Sequence, residues 1–276
     1  MKSKITGGET TLLFTAVILS AHHVSFYRCN DTGFIQTEEP YWLAEAYSSA
    51  ITKLDVGLVM RNQNLVDIAG PLLLRYFNHE GTFLDYAGGY GLFTRMMRDR
   101  GFDFYHTDIY CQNIFAEYQD LKDLPPATRF EAVTAFEVME HLVNPMEEIK
   151  GILSHSDNLF FTTELVPEKV TANWWYFSPE TGQHISFYTE KALAFIAAQY
   201  SRQYYTDGKW LHLFTKASLR ENPFAVPGIT KKETFFIRKM RKYLRQYDAQ
   251  KKGLLQKASL LGRDVNEAKK RVKKSG

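Results

Sequence analysis

Cysteine is nearly absent: the 276 residues contain two, Cys29 and Cys111. Two thiols cannot build the framework of a disulfide-stapled scaffold, and they suit a reducing compartment. Long apolar runs are missing as well. The run Leu12 to Leu19, preceded by Lys2 and Lys4, is too short to span a bilayer. Glu9, two glycines and the lack of a small-residue cleavage site near Ala21 argue against a signal peptide, so this run is expected to be a buried strand. Structural zinc lacks its ligands too. The turn from Tyr27 to Phe34 has the shape of a zinc knuckle, but Thr32 stands where a second cysteine would be, and one thiolate cannot hold an ion that takes four ligands. No metal is expected.

What remains is an ordinary composition, 45% apolar and 24% charged, in a chain long enough for one large domain with appendages. The net charge of +3 conceals an asymmetry. Residues 228–276 carry 16 Lys and Arg against 4 Asp and Glu, leaving 18 against 27 for the rest. An acidic body and a basic tail imply different jobs. In the tail, Phe236, Met240, Tyr243, Leu244 and Tyr247 form one stripe, and Leu254, Ala258, Leu261, Val265, Ala268 and Val272 follow heptad-like spacing. Such helices can lie on an anionic membrane surface, pair with a protein, or dock on the acidic body. No stacking-plus-basic module for nucleic acid is present, so nucleic acid is not an expected partner.

The chemistry-bearing pattern starts at Phe83. Two apolar residues and Asp85 read as a strand, Ala87, Gly88, Gly89, Tyr90 and Gly91 as a tight turn, and the following residues to about Arg100 as a helix. Free amides at such a helix start are expected to face a ligand. A second strand, Phe102 to Asp108, ends in an acid about 20 residues beyond the loop, the position that holds ribose hydroxyls in nucleotide-binding folds. Further strands are expected at Glu131 to Phe136 and Leu159 to Thr163. Helices are expected from Pro40 to Ile51, from Leu58 to Phe77 with a kink or restart at Pro71, within Asn113 to Pro126, from Met146, and from Thr189 to Tyr200. Asp207-Gly208 closes a terminal hairpin. The fold class is α/β: a Rossmann-like doubly wound sheet with one antiparallel strand, an N-terminal α/β extension and C-terminal basic helices. Asp85, Asp108, Glu137 and Glu164 all fall at strand carboxyl ends, where such sheets bind ligands. The expected domains are 1–40, 41–220 and 221–276.

From about Tyr41 to Lys216 the chain resembles class I S-adenosylmethionine-dependent methyltransferases, on the motifs Phe136-Glu137-Val138-Met139-Glu140-His141-Leu142 and Gly182-Gln183-His184-Ile185-Ser186-Phe187-Tyr188 with the glycine loop. The resemblance implies S-adenosyl-L-methionine as cofactor, with Asp85, Ala87, Gly88, Gly89 and Gly91 forming the cofactor loop, Asp108 on the ribose and Glu137 beside the amino-acid portion. Ala87 replaces the first loop glycine of that family. Related proteins often begin with a four-cysteine zinc module, of which only Cys29 is retained.

Methyl transfer from a sulfonium is an in-line displacement whose leaving group is already good, so the protein mainly aligns a nucleophile and excludes water. For a hydroxyl acceptor a positioned base helps, and His184, on a loop beside Trp174-Trp175-Tyr176-Phe177, is the leading candidate, with Glu164 the second. A small-molecule or glycan acceptor follows from the aromatic run and the resemblance. The expected location is the cytoplasm, with peripheral contact at a membrane as the tail's alternative. Two rival readings stand beside this one. Gly89-x-Gly91-x-x-Thr94 nearly fits a nicotinamide dinucleotide fingerprint, which would make an oxidoreductase, and a non-catalytic cofactor-binding scaffold would need no acceptor at all.

Overall fold

Two sheets share the molecule. The computed structural model describes residues 1–48, 52, 54–225 and 259–275. Four antiparallel strands, β1 (Thr10–Ile18), β2 (His22–Cys29), β3 (Ile35–Thr37) and β8 (Ser186–Phe187), form one sheet in that order. Six strands form the other: β4 (Thr82–Tyr86), β5 (Asp103–Thr107), β6 (Ala132–Ala135), β7 (Leu159–Thr162), β9 (Gln203–Thr206) and β10 (Leu211–Thr215). Their order is β5-β4-β6-β7-β10-β9. The β4, β5, β6 and β7 pairings are parallel, and β10 runs antiparallel to both its neighbours, as the hairpin signal at Asp207-Gly208 implies. The first sheet takes strands from both sides of residue 40, because β8 comes from the segment that carries His184.

Strand period two splits the core cleanly. Phe83 and Phe104 face one side, where Leu65, Val66, Leu73, Phe93 and Met97 come from α2 (Leu58–Tyr76) and α3 (Leu92–Asp99). Leu84 and Val133 face the other, against Ile149 and Ile152 of α4 (Pro145–His155) and Leu193 and Ile196 of α5 (Glu190–Gln199). Pro145 sits at the first turn of α4, where its missing N–H costs nothing, and Thr189 caps α5 by accepting from the Ala192 amide.

Several expectations change. The run Leu12 to Leu19 is a strand but not a buried one. As the sheet edge it has one covered face, so Leu12 is 56% and Val17 45% exposed. The helix expected from Pro40 to Ile51 is the four-residue α1 (Leu43–Ala46), and residues 50 and 51 lie outside the described set. In contrast, α2 continues past Pro71 as one helix, without a restart. Between Asn113 and Pro126 there is only a 3-10 turn, Leu121–Asp123. Cys29 is a core residue, 1% exposed, packed with Phe34 and Tyr188.

Of the basic tail, α6 (Leu261–Ser275) is described, and the stripe from Phe236 to Tyr247 with Leu254 and Ala258 lies outside. Ion pairs join α6 to the acidic body. Arg98 of α3, fully buried, donates to both carboxylate oxygens of Asp264 at 2.7 and 2.8 Å. Arg263 reaches Asp103 and Arg271 reaches Asp123, both at 2.6 Å. Among the described residues no helix is long and apolar enough to cross a membrane.

Candidate active site

At the carboxyl ends of β4 to β6 a cavity of about 540 Å³ opens, lined by the loop after β4, the ends of β5 and β6, the start of α2 and the segment Trp175 to His184. The loop is built by backbone geometry. Ala87, Gly89 and Gly91 all adopt left-handed φ, at 54°, 59° and 81°. A Cβ on Gly91 would lie 2.2 Å from Asn113 Oδ1, so this position requires glycine on two counts.

Three amides of the loop are already engaged by the protein, two of them with the end of β5. Gly88 donates to Thr107 O, Gly91 to Gly88 O at 3.1 Å, and Gly89 to Asp108 Oδ2 at 2.9 Å. Asp108 also accepts at Oδ1 from the Tyr110 and Cys111 amides, both at 2.7 Å, which fixes its carboxylate at the cavity wall.

Asp85 is 2% exposed beneath the loop, accepting from Thr94 at 3.1 Å and Thr134 at 3.0 Å. Burial raises its pKa to about 6, against the opposing pull of His106 and the two hydroxyls. His106 in turn bridges Gly89 O and Asp120, so the loop is braced from below by a polar column.

Glu137 follows β6 at φ 57°, an uncommon state for a residue with a Cβ and one that clusters at functional sites. Thr162 of β7 holds it twice, accepting from its amide and donating to Oε1, each at 2.8 Å. Arg61 of α2 lies 3.8 Å from Oε2 and is paired by two bonds to Asp55. Burial, then Glu140, raises Glu137 to about 7, with Arg61 and Thr162 acting the other way.

The second motif brings His184 to the same cavity. Its Nδ1 lies 2.7 Å from Tyr176 O, and its ring meets the His141 ring at 5.0 Å, edge on. His141 Nδ1 is 3.0 Å from Gln183 O and 3.1 Å from the Tyr47 hydroxyl. Burial, then His141, pushes His184 down to about 3, so it is neutral across the working range.

Asp85, Ala87, Gly88, Gly89, Asp108, Glu137 and His184 therefore all line one cavity, and Gly91 shapes the turn behind it. Glu164 is not on that wall. Its neighbour Leu165 bonds to Lys209 O, which carries the chain along the β9–β10 hairpin instead. Sequence reading missed Tyr47, which stacks on Tyr110 at 4.8 Å, and Thr162, which seats Glu137. A threonine ending the apolar run Leu159 to Phe161 was the available signal for the second, since a buried hydroxyl needs a partner.

Acidic groups dominate the wall: Asp55, Asp85, Asp108, Glu137 and Glu148 against Arg61.

Residues 61–201 match the model of a family described as a methyltransferase domain. No match is found among curated proteins. Among solved structures, the chain is similar to an O-methyltransferase family protein from Burkholderia thailandensis, at 12% identity and TM-score 0.45, covering 67% of this chain. The match spans 65% of that protein's length. It is also similar to magnesium protoporphyrin IX methyltransferase from Synechocystis PCC 6803 with bound SAH, at 15% identity and TM-score 0.40, over 63% of this chain and 92% of that one.

Proposed function

This chain belongs to the methyltransferase-domain family, and on that premise we propose that its cavity directs a methyl group to a hydroxyl oxygen of a small, saccharide-like acceptor. The cofactor is S-adenosylmethionine, which supplies a methyl group on a positively charged sulfur and departs as a neutral thioether. In this reading Asp108 takes the ribose hydroxyls, the loop from Ala87 to Gly91 forms a close backbone wall, and Glu137 faces the amino group.

The observation that carries the reading is electrostatic. The wall is acidic, and the amides of Gly88, Gly89 and Gly91 already donate to protein oxygens, so a sulfonium and an ammonium are favoured. A pyrophosphate would meet carboxylates and find those three donors already committed, which weighs against a nicotinamide dinucleotide.

On the acceptor side, Trp175 lines the cavity and is 68% exposed, leaving its ring available to the apolar face of a sugar. Because His184 Nδ1 is held by a carbonyl, Nδ1 carries the proton and Nε2 keeps its lone pair for the acceptor hydroxyl. A group held near 3 is a poor proton carrier, so His184 orients the hydroxyl while the proton leaves as the carbon–oxygen bond forms. The two free thiols suit a cytoplasmic setting for this reaction.

Calorimetric titration with S-adenosylmethionine, S-adenosylhomocysteine and NAD tests the donor side. Saturable binding of the first two is expected, and preference for NAD would overturn the reading. On the acceptor side, His184→Ala should cut turnover at least about tenfold with donor affinity within about twofold. Full activity in that variant would remove His184 from the reaction.

A further inference from the structure

Glu140 is the second acid of the stretch Phe136 to Leu142 that follows β6. It sits in the 3-10 turn Met139–His141 and is 0% exposed. The turn is pinned by the Ile185 amide, which donates to Glu140 O at 2.8 Å, so the carboxylate cannot swing out to water. Neither buried carboxylate oxygen makes a well-formed hydrogen bond, and the polar groups beside them, the Tyr176 and Thr163 hydroxyls, bond to each other at 3.3 Å. A buried carboxylate with no well-formed hydrogen bond is costly and invites compensation.

Two imidazoles stand beside it. One ligand atom each from Glu140, His141 and His184 lies within 4.8 Å of the others. Three donors each about 2.0–2.2 Å from one ion stand roughly 3.5 Å apart in a tetrahedral site, so closing this cluster on an ion takes side-chain movements of about 1 Å. The ring tautomers suit the same role. Gln183 O and Tyr176 O can only accept, so both Nδ1 atoms carry protons and both Nε2 atoms present lone pairs. A backbone carbonyl on the far nitrogen is the usual way a ligating histidine is held in orientation.

We propose that Glu140, His141 and His184 bind one divalent metal ion of the zinc type, with its remaining coordination positions open to the cavity. Two imidazoles and one carboxylate are the donors of a catalytic zinc site, which keeps a position for water or substrate. The cavity wall includes both histidines, so a ligand in that open position would lie among the acceptor-facing residues. The expectation that no metal binds rested on missing cysteines. The donors here are nitrogen and oxygen, and the turn after β6 and the loop before β8 bring them together.

Resting on the methyltransferase reading, the ion's task would be to hold the acceptor oxygen and lower its pKa. The O–H proton passes to solvent, the oxygen–methyl bond forms, the sulfur–methyl bond breaks, and the thioether leaves. His184 then acts through the ion.

The test uses the full chain, stripped with a chelator and titrated with Zn²⁺ and, separately, Co²⁺. One Zn²⁺ per chain is expected by calorimetry and elemental analysis, and the Co²⁺ form should show visible absorption typical of nitrogen and oxygen ligands. Glu140→Gln and His184→Asn should each weaken Zn²⁺ binding at least about tenfold. Cys29→Ser should leave it unchanged. No saturable binding by the wild type, or equal binding by both site variants with circular dichroism showing them folded, would overturn the proposal. If either variant fails to fold, loss of the Co²⁺ spectrum in the other decides. Titration with S-adenosylmethionine separates the two readings: donor binding without metal binding defeats the ion alone, and metal binding without donor binding defeats the methyl-transfer reading alone.

Discussion

Ala87 occupies the left-handed region at φ 54°, where a Cβ is crowded by the following carbonyl. Glycine would relieve about 1–2 kcal/mol of that strain and return about 0.4–1 kcal/mol through a more flexible unfolded chain. Ala87→Gly is therefore expected to gain up to about 1 kcal/mol in urea denaturation, with donor affinity little changed. Asp85 gives a pH signature. Burial raises its folded pKa from 3.8 to about 6, so its contribution to stability is complete below the unfolded value and is lost as pH rises through about 6. Relative to Asp85→Asn, the wild type should lose on the order of 1–3 kcal/mol between about pH 4 and 7. Parallel denaturation curves for the two proteins across that range would show that this carboxyl titrates normally. The identity of Asp85 was legible as the acid ending a strand. Its attachment to Thr94 and Thr134 was not, because those hydroxyls come from a helix and another strand.

At the scale of elements, a buried ion pair ties α6 to α3. Arg98 is 0% exposed and keeps Asp103 and Phe104 O when Asp264 is removed, so its charge is only partly abandoned. Asp264→Asn should cost about 3 kcal/mol and release amide protection along Leu261–Ser275 in hydrogen exchange. Unchanged protection would mean that other contacts hold the helix. The heptad-like spacing of the tail gave no hint of this partner, since a coiled-coil pattern says nothing of a single acid buried against another helix. The succession of strands in the central sheet, by contrast, could be read directly, because most of them carry their own apolar run and turn signal, whereas two of the expected helices did not form as read.

The whole molecule joins an acidic body to a basic tail, and the described part of that tail is committed to the body through Asp103, Asp123, Arg95 and Arg98. Salt screens the exposed pairs and spares the buried one. Hydrogen exchange of α6 should therefore change little between about 0.05 and 0.5 M salt, and its release would assign the docking to the rim pairs instead. The sequence by itself determined the doubly wound sheet, the reversed β10 and the glycine turn after β4, because these depend on local period, glycine spacing and acids at strand ends. Only the tertiary structure decided which side chains share the cavity. It left Glu164 off the wall, tied three loop amides to protein oxygens, and set Glu140 beside His141 and His184. Those outcomes depend on how the 3-10 turn after β6 packs against the loop before β8, and no local signal in either segment encodes the distance between them.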